Sequence, residues 1–155
     1  MRLTVLNGPN LNLLGTREPE IYGTATLGDL ERAVRERARE LGAELDWQQT
    51  NEEGRFVELV QGLAGRADGA LINAAAFTHS SLAIRDALLA VRIPFVEVHL
   101  SNIFAREPER RRSVLADLAV GIVAGFGGAG YLLALEALVR HLKATARRLD
   151  GSTGR

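Results

Sequence analysis

Apolar and polar positions follow two rhythms along the chain, a two-residue beat and a helical one, and the two take turns. Leu3–Asn7 alternates and is rich enough in β-formers to predict a first strand. Thr26-Leu27-Gly28-Asp29 has the spacing of a capping box, in which a Thr hydroxyl and a carboxylate three residues later satisfy each other's backbone amides. Leu27, Leu30, Val34, Ala38 and Leu41 then recur at helical spacing, and Gly42 supplies the stop. Ala43–Gln49 predicts a second strand, and Phe56, Leu59, Val60 and Leu63 a second helix. Gly69–Asn73 is a short run suited to a buried strand, followed by a third helix carrying Leu82, Ile84, Leu88 and Leu89. Phe95–Leu100 and Gly121–Ala124 predict the fourth and fifth strands, with a long helix from about Tyr131 to Arg147 after them.

Strands alternating with helices specify βαβ units and a parallel sheet, hence an α/β protein. Five strands in this rhythm predict a flavodoxin-like three-layer sandwich with strand order 2-1-3-4-5. A single domain over residues 1–148 and a flexible C-terminal tail over 149–155 complete the expected organisation. Sheets of this kind bind ligands outside the C-terminal strand ends. The polar clusters Asn7 to Tyr22, Asn73 to Ser81 and His99 to Arg112 all begin where a predicted strand ends.

Composition narrows the chemistry. The 155 residues suit one core, and nineteen basic residues balance nineteen acidic ones, which leaves no electrostatic footprint for nucleic acid or an anionic membrane. The chain has no cysteine, which excludes disulfides, thiol nucleophiles and Cys-based zinc sites. Its N-terminal strand turns too early for a signal peptide, so a soluble cytoplasmic protein is expected. The single lysine, Lys143, lies in a charged helix segment, which argues against imine chemistry. Leu118 to Leu135 carries no charge, but five glycines interrupt it, and a strand, a turn and a buried helix start explain it better than a membrane span. Gly125 to Gly130 satisfies G-x-G-x-x-G, yet only a helix and a tail follow, so a tight turn is the better reading than a dinucleotide site. His79, His99 and His141 form no zinc motif, and Arg110-Arg111-Arg112 stands beside Glu107 and Glu109 as a mixed surface or small-anion contact.

Three loops carry candidate chemistry. The long segment after the first strand, NGPNLNLLGTREPEIYG, brings Arg17 near Tyr22 if it folds back as a lid. A phenol is a poor base at neutral pH unless an adjacent guanidinium stabilises the phenolate, which gives Tyr22 two readings, base or loop anchor. In Glu97-Val98-His99, residues two apart on a strand share a side, so the carboxylate fixes one imidazole nitrogen and leaves the other for the site. In Asn73 to Ser81, small residues allow a turn, and Ser80 or Ser81 caps the next helix. Asn73, His79 and Arg110 are placed to hold hydroxyls and a carboxylate.

With these stretches, and with THSSLAIRDAL and EVHLSNIFARE, the chain closely resembles the type II 3-dehydroquinate dehydratases over roughly residues 3–142. The resemblance implies trans-elimination of water from 3-dehydroquinate through an enolate to 3-dehydroshikimate, a step of the shikimate pathway, without metal or cofactor. It implies that Tyr22 is the base that removes the proton beside the ketone and that Arg17 keeps it ionised. By the same resemblance Asn10 is expected to help hold the water that stabilises the enolate, and His99 to protonate the departing hydroxyl with Glu97 orienting it. The resemblance also implies that Asn73, His79, Leu100 with Ser101, and Arg110 contact substrate, and that Asp86 reaches a neighbouring subunit's site in a homododecamer of four trimers.

The chain departs from the family's usual pattern at Ala74-Ala75, where Pro-Gly is common, at Phe77 and Phe104, at Pro108-Glu109, and at Gln49 to Glu52. None of these removes a proposed catalytic group. A binding-only homologue would lack an acid, base or anchor residue. A phospho-receiver domain would need clustered aspartates and a later lysine, and neither pattern is present.

Overall fold

The computed structural model describes residues 1–16, 20 and 24–152. Five parallel strands, β1 (Arg2–Asn7), β2 (Glu44–Gln49), β3 (Gly69–Asn73), β4 (Phe95–His99) and β5 (Gly121–Ala124), form one sheet in the order β2-β1-β3-β4-β5. The expected α/β architecture and strand order are those found. Among the described residues, four α-helices flank the sheet: α1 (Leu27–Glu40), α2 (Glu53–Gln61), α3 (Leu82–Val91) and α4 (Ala129–Ser152).

Two-residue alternation along the strands divides the core. Leu3, Val5, Leu71, Val96 and Val98 face α1 and α4, where Val34, Leu135 and Leu138 meet them. Leu6, Ile72 and Phe95 face the opposite layer, against Phe56 and Val60 of α2 and Ile84 and Leu88 of α3. Central β3 is covered on both faces, which is why its residues form an apolar run up to Asn73.

Local signals set the element ends. Thr26 accepts from the Asp29 amide at 3.1 Å, while the Asp29 carboxylate accepts from the Thr26 amide at 2.9 Å, completing the predicted capping box. Gly42 follows α1 with φ of +75°, the left-handed stop that glycine adopts without steric cost. Ser81 caps α3 through the Ile84 amide. The G-x-G-x-x-G stretch is a tight turn between β5 and α4, and a Cβ on Gly130 would lie 3.0 Å from the Gly125 carbonyl oxygen. Among the described residues, no helix is long and apolar enough to cross a membrane.

The first strand begins one residue earlier than expected, at Arg2, and the second one residue later, at Glu44; two further elements differ at their C-terminal ends. The fourth strand ends at His99, one residue before Leu100, where the chain bends. The last helix continues beyond Arg147 to Ser152, so residues 149–152 extend α4 rather than form the expected tail. Ala144, Ala146, Arg147, Arg148 and Leu149 all favour helix, and nothing before Gly151 breaks it.

Candidate functional site

The C-terminal ends of β1, β3 and β4 carry three loops that enclose a cleft of about 160 Å³. From the loop after β1 come Asn10 and an apolar rim of Pro9, Leu11, Leu13 and Leu14. From the end of β3 comes Asn73, and from the turn after it Ala75, Ala76 and His79. From the end of β4 and beyond come His99, Leu100, Ser101, Arg106 and Arg110. Seven of the residues singled out from the sequence therefore line one cleft: Asn10, Asn73, His79, His99, Leu100, Ser101 and Arg110.

Glu97 and His99 point to the same side of β4, as strand periodicity requires. His99 Nε2 lies 2.6 Å from Glu97 Oε1, with both side chains buried. Glu97 Oε2 has no partner among the described residues, so the carboxylate has His99 as its hydrogen-bonded group there. The buried carboxylate fixes the orientation of the imidazole ring, as expected of a partner for an acid.

The loop after β1 is braced from β2. Gln49 Nε2 donates to the Gly8 carbonyl at 3.2 Å and to Asn51 Oδ1 at 3.0 Å, and Asn51 Oδ1 accepts from the Asn10 amide at 3.0 Å. Asn10 has φ of +68°, a left-handed conformation that asparagine tolerates. His79 Nδ1 bonds the Arg112 carbonyl at 2.7 Å, tying the turn after β3 to the basic segment. Arg110 is exposed and paired with Glu107 at 2.7 Å, which fits the mixed surface read from the sequence. Pro108 begins a one-turn 3-10 helix ending at Arg110, a position where its missing amide leaves no bond unmade.

Beneath the cleft runs a buried polar chain. Register places Asn7 beside Asn73, and Tyr131 in the first turn of α4 spans them. Asn73 Nδ2 donates to Tyr131 Oη at 2.8 Å, and Tyr131 Oη donates to Asn7 Oδ1 at 2.7 Å. Burial pushes the Tyr131 phenol well above its ordinary range, with the Asn73 bond opposing only in part.

Arg17 and Tyr22 lie outside the described residues. Asp86 is exposed on α3 and does not line this cleft. Lys143 is also exposed, on α4. Sequence reasoning missed Arg106, whose guanidinium lines the cleft and donates to Ser101 Oγ. Its signal was its place inside the SNIFARE stretch, seven residues after His99. Tyr131 was missed as a polar residue because nothing local distinguishes it from core.

The sequence matches the family model described as Dehydroquinase class II over residues 1–139. The chain belongs to the class II dehydroquinase family. A protein named 3-dehydroquinate dehydratase from Parasynechococcus marenigrum is 57% identical over 92% of this chain and 98% of its own length. Another of that name, from Gemmatimonas aurantiaca, is 51% identical over 99% of this chain and 100% of its own. The crystal structure of a type II dehydroquinase from Propionibacterium acnes superposes with a TM-score of 0.85 at 45% identity, covering 90% of this chain and 96% of that one. As a class II dehydroquinase, the chain carries its family match across all three loops of the cleft.

Proposed function

We propose that the chain is a 3-dehydroquinate dehydratase that removes water by trans-elimination through an enolate. The observation that carries this reading is the buried Glu97–His99 pair at 2.6 Å behind a cleft that also gathers Asn10, Asn73, His79, Ser101 and Arg110. His99 acts as the general acid that gives its proton to the departing hydroxyl, and Glu97 orients it. Asn10 helps hold the water that stabilises the enolate oxygen. Asn73, His79, Leu100 with Ser101, and Arg110 hold the substrate's hydroxyls and carboxylate.

The base is Tyr22, kept ionised by Arg17. Support comes by elimination, since the chain has two tyrosines. The other one, Tyr131, is fully buried, committed to Asn7 and Asn73, and held protonated by its surroundings. A phenolate that takes the proton beside the ketone and an imidazolium that supplies one to the hydroxyl balance the reaction without any other group. The proposal includes no metal or cofactor.

The proposal extends to a cytoplasmic homododecamer of four trimers in which Asp86 of each chain reaches a neighbouring site. What supports an assembly is large apolar surface left open on one chain, with Phe126 at 75% and Phe104 at 56% exposure.

The test is to mix the purified chain with 3-dehydroquinate and follow ultraviolet absorbance. The product's alkene is conjugated with its carbonyl groups, so turnover appears as a rising signal. Folded protein with authentic substrate and no signal overturns the dehydratase reading in favour of a binding-only homologue.

A further inference from the structure

The buried chain beneath the cleft has a direction. Its far end is the Gln48 backbone carbonyl, which only accepts, and Asn7 Nδ2 donates to it at 3.1 Å. That bond orients the Asn7 amide and turns Oδ1 toward Tyr131. The single phenolic proton of Tyr131 is thereby committed to Asn7, so toward Asn73 its oxygen only accepts. At the near end the Ala75 backbone amide, which only donates, lies 3.1 Å from Asn73 Oδ1. Two backbone groups of fixed polarity thus set three side chains in series. They leave Asn73, a residue that lines the cleft, with the second N–H of Nδ2 as its uncommitted donor.

We propose that Tyr131 is a positioning residue that makes Asn73 present a hydrogen-bond donor to the substrate, selecting ligands with an acceptor oxygen there, a hydroxyl or a carboxylate. Without the phenol, Asn73 keeps the Ala75 amide on Oδ1 but loses the acceptor that fixes its Nδ2 end and so the direction of the second N–H. Asn7 Oδ1 then also lacks a donor in a place closed to water. The burial that keeps Tyr131 protonated keeps this polarity through the neutral range. The proposal rests on the dehydratase reading for the identity of the ligand, but the polarity of the chain does not depend on turnover.

The experiment is a double-mutant cycle of Tyr131→Phe and Asn73→Ala with 3-dehydroquinate, alongside nuclear magnetic resonance of the wild-type chain. Tyr131→Phe is expected to raise KM about tenfold while kcat stays within about threefold. In the Asn73→Ala background the same substitution should leave KM unchanged, because its route to the substrate is gone. A merely structural tyrosine would lower the melting temperature and leave KM alone, and that result overturns the proposal. So does an equal KM rise in both backgrounds. If Tyr131→Phe fails to fold, Asn7→Ala keeps the phenol but removes the acceptor that fixes its proton, so the oxygen no longer holds its accepting side toward Asn73 Nδ2. The same KM rise is then expected, and an unchanged KM overturns the proposal. In the wild-type spectrum, a slowly exchanging Tyr131 hydroxyl proton coupled through space to Asn7 supports the polarity even if the chain shows no turnover. That combination sinks the dehydratase reading alone, whereas absence of the proton from Asn7 overturns the inference.

Discussion

His99 Nε2 and Glu97 Oε1 stand 2.6 Å apart at the end of β4, and neither side chain is open to solvent. A carboxylate in this setting selects the orientation of the imidazole it holds. Glu97→Gln preserves shape and removes the charge. Its expected effect is a fall in kcat of about a hundredfold with KM changed little, measured by steady-state turnover of 3-dehydroquinate. A larger change in KM than in kcat would show that Glu97 serves binding instead.

Replacing the acid itself separates the two proton transfers. His99→Ala should lower dehydration by about 10²–10⁴-fold while the α-proton still exchanges with deuterium from solvent. The check is mass or resonance detection of label in unreacted substrate. Dehydration at the wild-type rate would remove His99 from the role of acid.

The two tyrosines should titrate apart. Tyr22→Phe is expected to abolish turnover while retaining ligand binding, and to remove the phenolate absorbance that appears first as pH rises. Tyr131 should stay protonated until the protein unfolds. The sign follows from burial of the neutral phenol, which raises the folded-state value above the ordinary 10.0. The stabilisation is therefore complete below about pH 10 and is lost as pH climbs from there toward the folded-state value. The urea midpoint of the wild type should fall across that alkaline range, and Tyr131→Phe should flatten the fall. Equal slopes for the two proteins would contradict the burial argument.

What the sequence made legible was local or periodic. The Thr26–Asp29 box, the Gly42 stop and the buried run of β3 each follow from a few neighbouring residues, and the strand rhythm gave the sheet order. The gathering of Asn10, Asn73, His79, His99, Ser101 and Arg110 in one cleft was legible because a parallel sheet brings its C-terminal loops to one edge. The Asn7–Tyr131–Asn73 chain was not legible. It joins residues 124 and 58 positions apart, and only strand register together with the placement of α4 brings them into contact. Arg106 was missed because an arginine among several arginines shows its direction only once the loop is folded.

Close backbone approach makes Gly8 irreplaceable. Its amide donates to the Asn73 carbonyl at 2.7 Å, and a Cβ built on it would lie 2.4 Å from the Ala74 carbonyl oxygen. The obstacle is backbone on both sides, with no flexible side chain to yield. Gly8→Ala should cost about 2–3 kcal/mol of stability, read from urea denaturation. It should also raise KM, because relief of the clash separates the loop bearing Asn10 from the end of β3 bearing Asn73. A variant as stable as wild type would mean that the two loops approach less closely.

Ala75 presents the opposite case, a side chain where its absence would be better. Its φ of +51° lies in the left-handed region, which costs an L-residue about 1–2 kcal/mol. Glycine avoids that cost but loses about 0.5–1 kcal/mol more in chain entropy on folding. The difference favours Ala75→Gly by about 0–1.5 kcal/mol, which should appear as a higher urea midpoint with an unchanged slope. The amide that donates to Asn73 Oδ1 is backbone and survives the substitution, so KM should stay within about twofold of wild type. Loss of stability would show that the Ala75 methyl packs well enough to outweigh its strained backbone. A rise in KM at unchanged stability would show that the rigidity of alanine at this turn helps hold the Asn73 amide in place.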